Sequence, residues 1–144
     1  MHVRQCSIFV ENTKGSLAKL TKVLKDNHIN MAAATIADTE HFGILRVVFA
    51  EPERAVEVLK ENGFTTKISQ VIGCAVPDRP GGLADILLVL EEADINVEYI
   101  YFSGMTEGGE AILIIRVREL EKAQDALKAA GVKLLSHEQV AEGR

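Results

Sequence analysis

An internal repeat is the feature that most restricts how this 144-residue chain can fold. At an offset of 66 residues the chain matches itself at three places, which are Gly15-Ser16-Leu17-Ala18 with Gly81-Gly82-Leu83-Ala84, Val23-Leu24 with Val89-Leu90, and Ile29-Asn30 with Ile95-Asn96. Beyond a longer glycine-rich turn the offset becomes 68, and it aligns Ile44-Leu45 with Ile112-Leu113 and Leu59-Lys60 with Leu127-Lys128. Matches in one consistent order predict two homologous units, which we place at residues 1–68 and 69–144.

Both units have the same predicted order of elements. In the first, residues 3–10 alternate as in a strand, and residues 16–27 follow a helical period through Leu17, Leu20 and Leu24. Residues 31–37 and 42–49 form two further strands, a second helix runs from Glu51-Pro52 to a C-cap at Gly63, and residues 65–68 form a fourth strand. The order β-α-β-β-α-β predicts an α+β fold with two ferredoxin-like units, each an antiparallel four-stranded sheet with two helices on one face.

The size of each unit predicts association. A unit of about 66 residues buries only about 60% of its unfolded surface and is marginal by itself. Two helices cover one face of a four-stranded sheet and leave the other face, or an open edge. We therefore expect the two units to associate side by side and the protein to form a homodimer.

The segments 12–17 and 78–83 each join a strand to the N-terminus of a helix. Such a turn offers unpaired N–H groups and the positive end of a helix dipole, which suit a carboxylate. Glycine allows close approach of a ligand, Pro80 stiffens the second turn, and Asn12 or Asp78 accepts hydrogen bonds from an ammonium group. A free amino acid fits that combination. The alternative is purely structural, with Asn12 and Asp78 as helix caps and the glycines as turn residues.

A strand followed by Asp78-Arg79-Pro80-Gly81-Gly82-Leu83-Ala84, an apolar helix and then Ile95-Asn96 resembles the ACT domain. The chain resembles two such domains in tandem over almost its whole length. The segments Ile36-Ala37-Asp38-Thr39 and Phe42-Gly43-Ile44-Leu45-Arg46 further resemble small stand-alone proteins made of two ACT units.

The resemblance implies sensing of a small molecule, usually an amino acid, held at an interface between ACT units. It nominates the turn residues and the Asn of each Ile-Asn pair, and Lys14, Arg79 and Pro80 complete the two turns. The candidate ligand-binding residues are Asn12, Lys14, Gly15, Ser16, Leu17 and Asn30 in the first unit, and Asp78, Arg79, Pro80, Gly81, Gly82, Leu83 and Asn96 in the second. The first turn departs from the pattern, because Thr13-Lys14 stands where the second has Arg79-Pro80.

Composition and charge exclude several classes. With 16 basic and 21 acidic residues the net charge is −5, which argues against a nucleic-acid or anionic-membrane surface. No segment approaches the roughly 20 apolar residues that cross a bilayer, and the N-terminus does not resemble a signal peptide, so we expect a cytoplasmic protein. Cys6 and Cys74 predict buried structural thiols, with a redox switch as the alternative. Cysteine and histidine spacing predicts neither a metal site nor a cofactor.

The leading functional hypothesis is an amino-acid-binding regulatory protein without catalytic activity. The alternative is a regulatory or interaction subunit of an amino-acid biosynthetic enzyme. A remote alternative is a small acylphosphatase-like enzyme that uses Arg79 and Asn96, although the sequence offers no nucleophile–base pair.

Overall fold

A computed structural model describes residues 2–38 and 40–142. Thr39, which belongs to the segment compared with the ACT family above, and the last two residues of the proposed second unit lie outside the described part. The elements are β1 (Val3–Glu11), α1 (Ser16–Asp26), β2 (Met31–Asp38), β3 (Phe42–Phe49), α2 (Pro52–Glu61), β4 (Thr66–Val76), α3 (Gly82–Glu92), β5 (Val97–Met105), β6 (Ala111–Val117), α4 (Leu120–Ala129), β7 (Leu134–Leu135) and α5 (His137–Glu142). The predicted fold, two β-α-β-β-α-β units with antiparallel sheets, is confirmed.

The chain divides into two compact units, and the boundary falls within β4. The first unit comprises Arg4–Ser69. The second comprises the chain from Gln70 onward together with the residues that precede Arg4.

In the first unit, β3 lies between β1 and β2 and pairs with both in antiparallel register. Leu45 of β3 is opposite Ile8 of β1 and Ile36 of β2. The N–H of Phe9 donates to the carbonyl of Thr65 at 3.0 Å, which places the chain entering β4 beside β1. One face of this sheet carries α1 and α2. The buried cluster between them contains Cys6, Ile8, Val10, Leu20, Leu24, Leu45, Val47, Phe49, Ala55 and Leu59.

In the second unit the sheet order is β5-β6-β4-β7, and every pairing is antiparallel. The last strand is short, because only Leu134 and Leu135 pair with β4. Helices α3 and α4 cover one face. Their buried cluster contains Ile72, Cys74, Val76, Ile86, Leu90, Ile95, Leu113, Ile115, Val117, Ala123 and Leu127.

The two cores are built from equivalent positions. Each buried residue of the first cluster lies 66 or 68 residues before a buried residue of the second, as Leu20 and Leu24 do before Ile86 and Leu90. The repeat therefore preserves the alternation of each strand and the apolar stripe of each helix.

A short C-terminal helix, α5, is an addition that the repeat did not predict. Its residues Val140 and Ala141 are buried. A Cβ on Gly73 would lie 2.9 Å from the Cγ2 of Val140. Because Gly73 alternates with Ile72 and Cys74, which face α3 and α4, α5 packs on the opposite face of the second sheet.

Candidate functional site

The first candidate turn runs from the end of β1 to the start of α1. Gly15 is the N-cap residue with φ of +87°, and it has no side-chain cap among the described residues. The N–H of Ser16 donates to the carbonyl of Thr13 at 3.2 Å, and the first helical bond joins the Lys19 N–H to the Gly15 carbonyl at 2.9 Å. The N–H groups of the intervening first turn have no intrahelical acceptor and point out of the helix end.

Asn12 does not cap α1. Its N–H donates to the carbonyl of His41 at 3.0 Å, and its Nδ2 donates to the carbonyl of Glu40 at 3.4 Å. The side chain therefore ties the first turn to the β2–β3 connection. Helix capping by Asn12, the structural alternative in the sequence interpretation, is wrong, since Gly15 occupies the cap position.

The second candidate turn repeats this backbone. Gly81 is the N-cap residue with φ of +88°. The N–H of Gly82 donates to the carbonyl of Arg79 at 3.1 Å, and the N–H of Asp85 donates to the carbonyl of Gly81 at 3.0 Å. A positive φ at the cap suits glycine, which lacks the Cβ that makes this region unfavourable. The two turns therefore share a glycine N-cap and the same two backbone hydrogen bonds, and neither Asn12 nor Asp78 provides the cap.

Side chains distinguish the two turns. In the second, Nη2 of Arg79 lies 3.4 Å from Oδ2 of Asp85 in an exposed ion pair. In the first, the hydroxyls of Thr13 and Ser16 are 2.7 Å apart. The second turn is also tighter, because a Cβ on Gly82 would lie 2.3 Å from the carbonyl oxygen of Pro77.

The candidate residues are mostly accessible to solvent. Among the described residues of the turns, only Gly82 is buried, while Ser16 and Leu83 are half-buried; Asn12, Lys14, Gly15, Leu17, Asp78, Arg79, Pro80 and Gly81 are exposed. Leu17 was predicted on the apolar stripe of α1, but it is 44% exposed. It lies in the first turn of the helix, before the buried positions Leu20 and Leu24.

Asn30 and Asn96 do not join their own turns. Each is exposed and lies just before β2 or β5, beyond the C-terminal end of α1 or α3. An 11-residue helix is about 16 Å long, so the asparagine and the turn of one unit lie at opposite ends of it. Within a unit the structure separates these predicted site residues.

A cleft in the first unit adds residues that sequence reasoning missed. This β1 cleft has a volume of about 370 Å³ and is lined in part by Phe9, Glu11, Ser16, Lys19, Phe42 and Phe64. The Nζ of Lys19 lies 5.7 Å from the centroid of the Phe64 ring, a cation–π contact. Three of the five phenylalanines in this aromatic-poor chain line it. This concentration of phenylalanines is the signal that could have revealed the cleft. It is not visible along the chain, because the three residues come from separate segments of the sequence.

Both cysteines are buried thiols, as the sequence predicted. Burial raises the pKa of Cys6 to about 11, with the positive charge of Lys60 opposing that rise, and raises the pKa of Cys74 to about 12. Because the thiolate is the reactive form, these side chains act as apolar core residues at neutral pH.

Two further observations concern the described residues. In residues 2–38 and 40–142 no group of three or more His, Cys, Asp or Glu side chains is arranged to hold a metal ion. No helix of this part of the chain is long and apolar enough to span a membrane.

The repeated turns and the repeated fold are consistent with the protein family whose model matches the sequence. A family model described as an ACT domain pair covers residues 1–142. The chain therefore belongs to the ACT domain pair family.

Two solved structures have a similar fold. Protein BT0572 from Bacteroides thetaiotaomicron is 35% identical, with a TM-score of 0.91 over 99% of this chain and 97% of that chain. The ligand-free regulatory subunit of aspartate kinase from Thermus thermophilus is 17% identical, with a TM-score of 0.62 over 90% of this chain and 92% of that chain, and it shows a shared fold. Among curated proteins, none matches this chain. Membership in a family of regulatory domains supports a regulatory role.

Proposed function

We propose that this protein is a non-catalytic regulatory protein that binds a free amino acid through the turns before α1 and α3. The observation that carries the proposal is the pair of similar turns, each with a glycine N-cap at positive φ and no side-chain hydrogen bond to the cap among the described residues. The proposal includes a cytoplasmic homodimer, which stays a prediction from the sequence.

The turns suit the carboxylate of an amino acid. The N–H groups of the first helical turn donate hydrogen bonds, and the helix dipole adds favourable potential at the same point. Lys14 in the first turn and Arg79 in the second each add a nearby positive charge. Glycine at the cap leaves this approach open in the first turn, since nothing lies within 4 Å of a Cβ built on Gly15, while in the second turn Nη1 of Arg79 lies 3.9 Å from a Cβ built on Gly81.

The acylphosphatase-like alternative finds less support. That chemistry requires an arginine and a water-positioning asparagine at one anion site. Arg79 lies before α3 and Asn96 after it, so the two backbones are separated by the length of the helix. The guanidinium of Arg79 also faces the carboxylate of Asp85.

Binding is tested by thermal shift and calorimetry with the common free amino acids, followed by matched variants. Gly15→Asp and Gly81→Asp each place a carboxylate at a helix cap, and Gly131→Asp is the control. The three glycines have φ of +87°, +88° and +82°, so the backbone strain is matched. Gly131, like Gly15, has nothing within 4 Å of a Cβ.

We expect at least one cap variant to lose binding, because its carboxylate competes with that of the ligand, while Gly131→Asp retains it. Unchanged affinity and unchanged stoichiometry in both cap variants would show that the turns are not the site. If no amino acid binds the unmodified chain at millimolar concentration, the proposed function is wrong.

A further inference from the structure

We propose that the β1 cleft binds an amino acid with a large apolar side chain and so determines which ligand the protein senses. The inference rests on the proposed function and deepens it, because it assigns a ligand class and places the site in the first unit. The cleft is lined by residues that the resemblance to the family did not nominate, apart from Ser16.

The apolar part of the cleft is aromatic and open to solvent. Phe9 is 43% exposed and Phe42 is 47% exposed, and the ring of Phe64 completes the lining. Exposed apolar rings around a concave surface favour a ligand that covers them. The cleft volume of about 370 Å³ accommodates a single large side chain together with its backbone groups.

The polar part carries one charge of each sign. Glu11, the last residue of β1, accepts hydrogen bonds from an ammonium group, and Lys19 on α1 donates to a carboxylate. The Lys19 ammonium already lies over the Phe64 ring, which keeps its charge at the cleft. Ser16 lines the same cleft from the first turn of α1, so the cleft and the proposed carboxylate position are contiguous. Opposite charges beside aromatic rings match a zwitterion with an apolar side chain.

Comparison of the two units shows which side chains of the β1 cleft are not required by the shared fold. The repeat keeps the buried core positions apolar in both units. The six cleft residues named above all change, because Phe9, Glu11, Ser16, Lys19, Phe42 and Phe64 correspond to Ala75, Pro77, Gly82, Asp85, Glu110 and Val132, whereas Val10 and Gly63 of the same lining correspond to Val76 and Gly131. At the position of Lys19 the second unit has Asp85, which pairs with Arg79. The fold therefore does not need these six side chains, and this combination of side chains belongs to the first unit alone.

Tryptophan fluorescence tests the inference on the full chain. The protein contains no tryptophan, so L-tryptophan excited at a wavelength that the two tyrosines absorb only weakly reports binding without tryptophan emission from the chain. We expect a saturable change in its fluorescence, reversed by L-phenylalanine and L-leucine and not by L-serine. Phenethylamine and 3-phenylpropionate, which each lack one charge of the zwitterion, should compete more weakly than L-phenylalanine.

The variants Lys19→Gln and Glu11→Gln should each weaken probe binding by about tenfold or more, because each removes one charge-assisted hydrogen bond. Lys22→Gln is the matched control, since Lys22 is a lysine of the same helix that pairs with Asp26. Circular dichroism of each variant verifies that it is folded.

The outcomes distinguish this inference from the function on which it rests. If L-serine or another small polar amino acid binds while the three apolar ones do not, the cleft assignment is wrong and amino-acid sensing stands. If L-tryptophan binds but Lys19→Gln and Glu11→Gln behave like Lys22→Gln, the cleft is again not the site. If no amino acid binds the unmodified chain, both proposals fail.

Discussion

Substitution of Gly82 by alanine tests the tight second turn. Helix propensity and crowding against the turn predict opposite changes in the free energy of unfolding. Gly82 is the first residue of α3, and alanine in place of glycine within a helix is worth about 0.5–1 kcal/mol in favour of folding. The equivalent residue of the first unit is Ser16, so the helix start itself accepts a Cβ. Helix propensity alone therefore predicts that Gly82→Ala stabilises the protein.

The structure predicts the opposite. The Cβ would lie 2.3 Å from the carbonyl oxygen of Pro77, and contacts under 3.0 Å are essentially never observed, so the two backbone segments must separate by at least 0.7 Å. Crowding of this kind costs about 1–3 kcal/mol, and here neither atom belongs to a flexible side chain. Offset by the gain in propensity, the expected loss in the free energy of unfolding centres on about 1 kcal/mol.

Urea unfolding followed by circular dichroism measures this loss. Gly108→Ala is the control, because its Cβ would meet nothing closer than 3.8 Å. We expect Gly108→Ala to unfold at the same urea concentration as the unmodified chain, or a higher one, and Gly82→Ala at a lower one. A Gly82→Ala protein as stable as the unmodified chain would refute the reasoning about the turn.

Three further predictions concern stability. Leu24→Ala and Leu90→Ala remove equivalent buried side chains of the two cores, so urea unfolding should show losses of about 2–5 kcal/mol for each. A loss in only one of them would contradict the equivalence of the units. Since burial raises the pKa of Cys6 and Cys74 above the ordinary value of 9.0, only the unfolded state releases these protons just above pH 9. The free energy of unfolding should therefore fall as pH rises from about 9 towards about 11, and a Cys6→Ala, Cys74→Ala double variant should show a smaller fall. Val140→Ala should lower the free energy of unfolding by about 1–2 kcal/mol, because it removes buried apolar contacts of α5; unchanged urea unfolding would show that α5 contributes nothing.

The order of elements and the cores followed from the sequence because they depend on periodic patterns. Alternation at Cys6, Ile8 and Val10 fixes the buried face of β1, and the repeat transfers that assignment to β4. The positive φ of Gly15 and Gly81 agrees with the alternative in the sequence analysis that these glycines are turn residues.

The short helix α5 carried a signal that the repeat obscured. Ser136 Oγ accepts from the Gln139 N–H at 3.1 Å, and Gln139 Oε1 accepts from the Ser136 N–H at 2.8 Å, a capping box readable in the sequence. Its position depends on burial of Val140 against the glycine of β4, which no local pattern specifies.

The site was less predictable because it depends on tertiary contacts. Asn12 looked like a helix cap, but its amide reaches the carbonyl of Glu40, 28 residues away. The β1 cleft joins side chains from the end of β1, the start of β3 and the α2–β4 connection. Their proximity follows from strand pairing, such as Glu11 opposite Phe42, and not from spacing along the chain.

The central claim, that this protein senses a free amino acid through its glycine-capped turns, is tested most directly by calorimetric titration of the unmodified chain and of Gly15→Asp with L-phenylalanine. We predict saturable heat for the unmodified chain and its loss in Gly15→Asp, because the added carboxylate occupies the N-terminus of α1 where the ligand carboxylate binds. Equal binding by both proteins would contradict this role of the first turn. Absence of heat with L-phenylalanine and with every other common amino acid at millimolar concentration would contradict the sensing function itself.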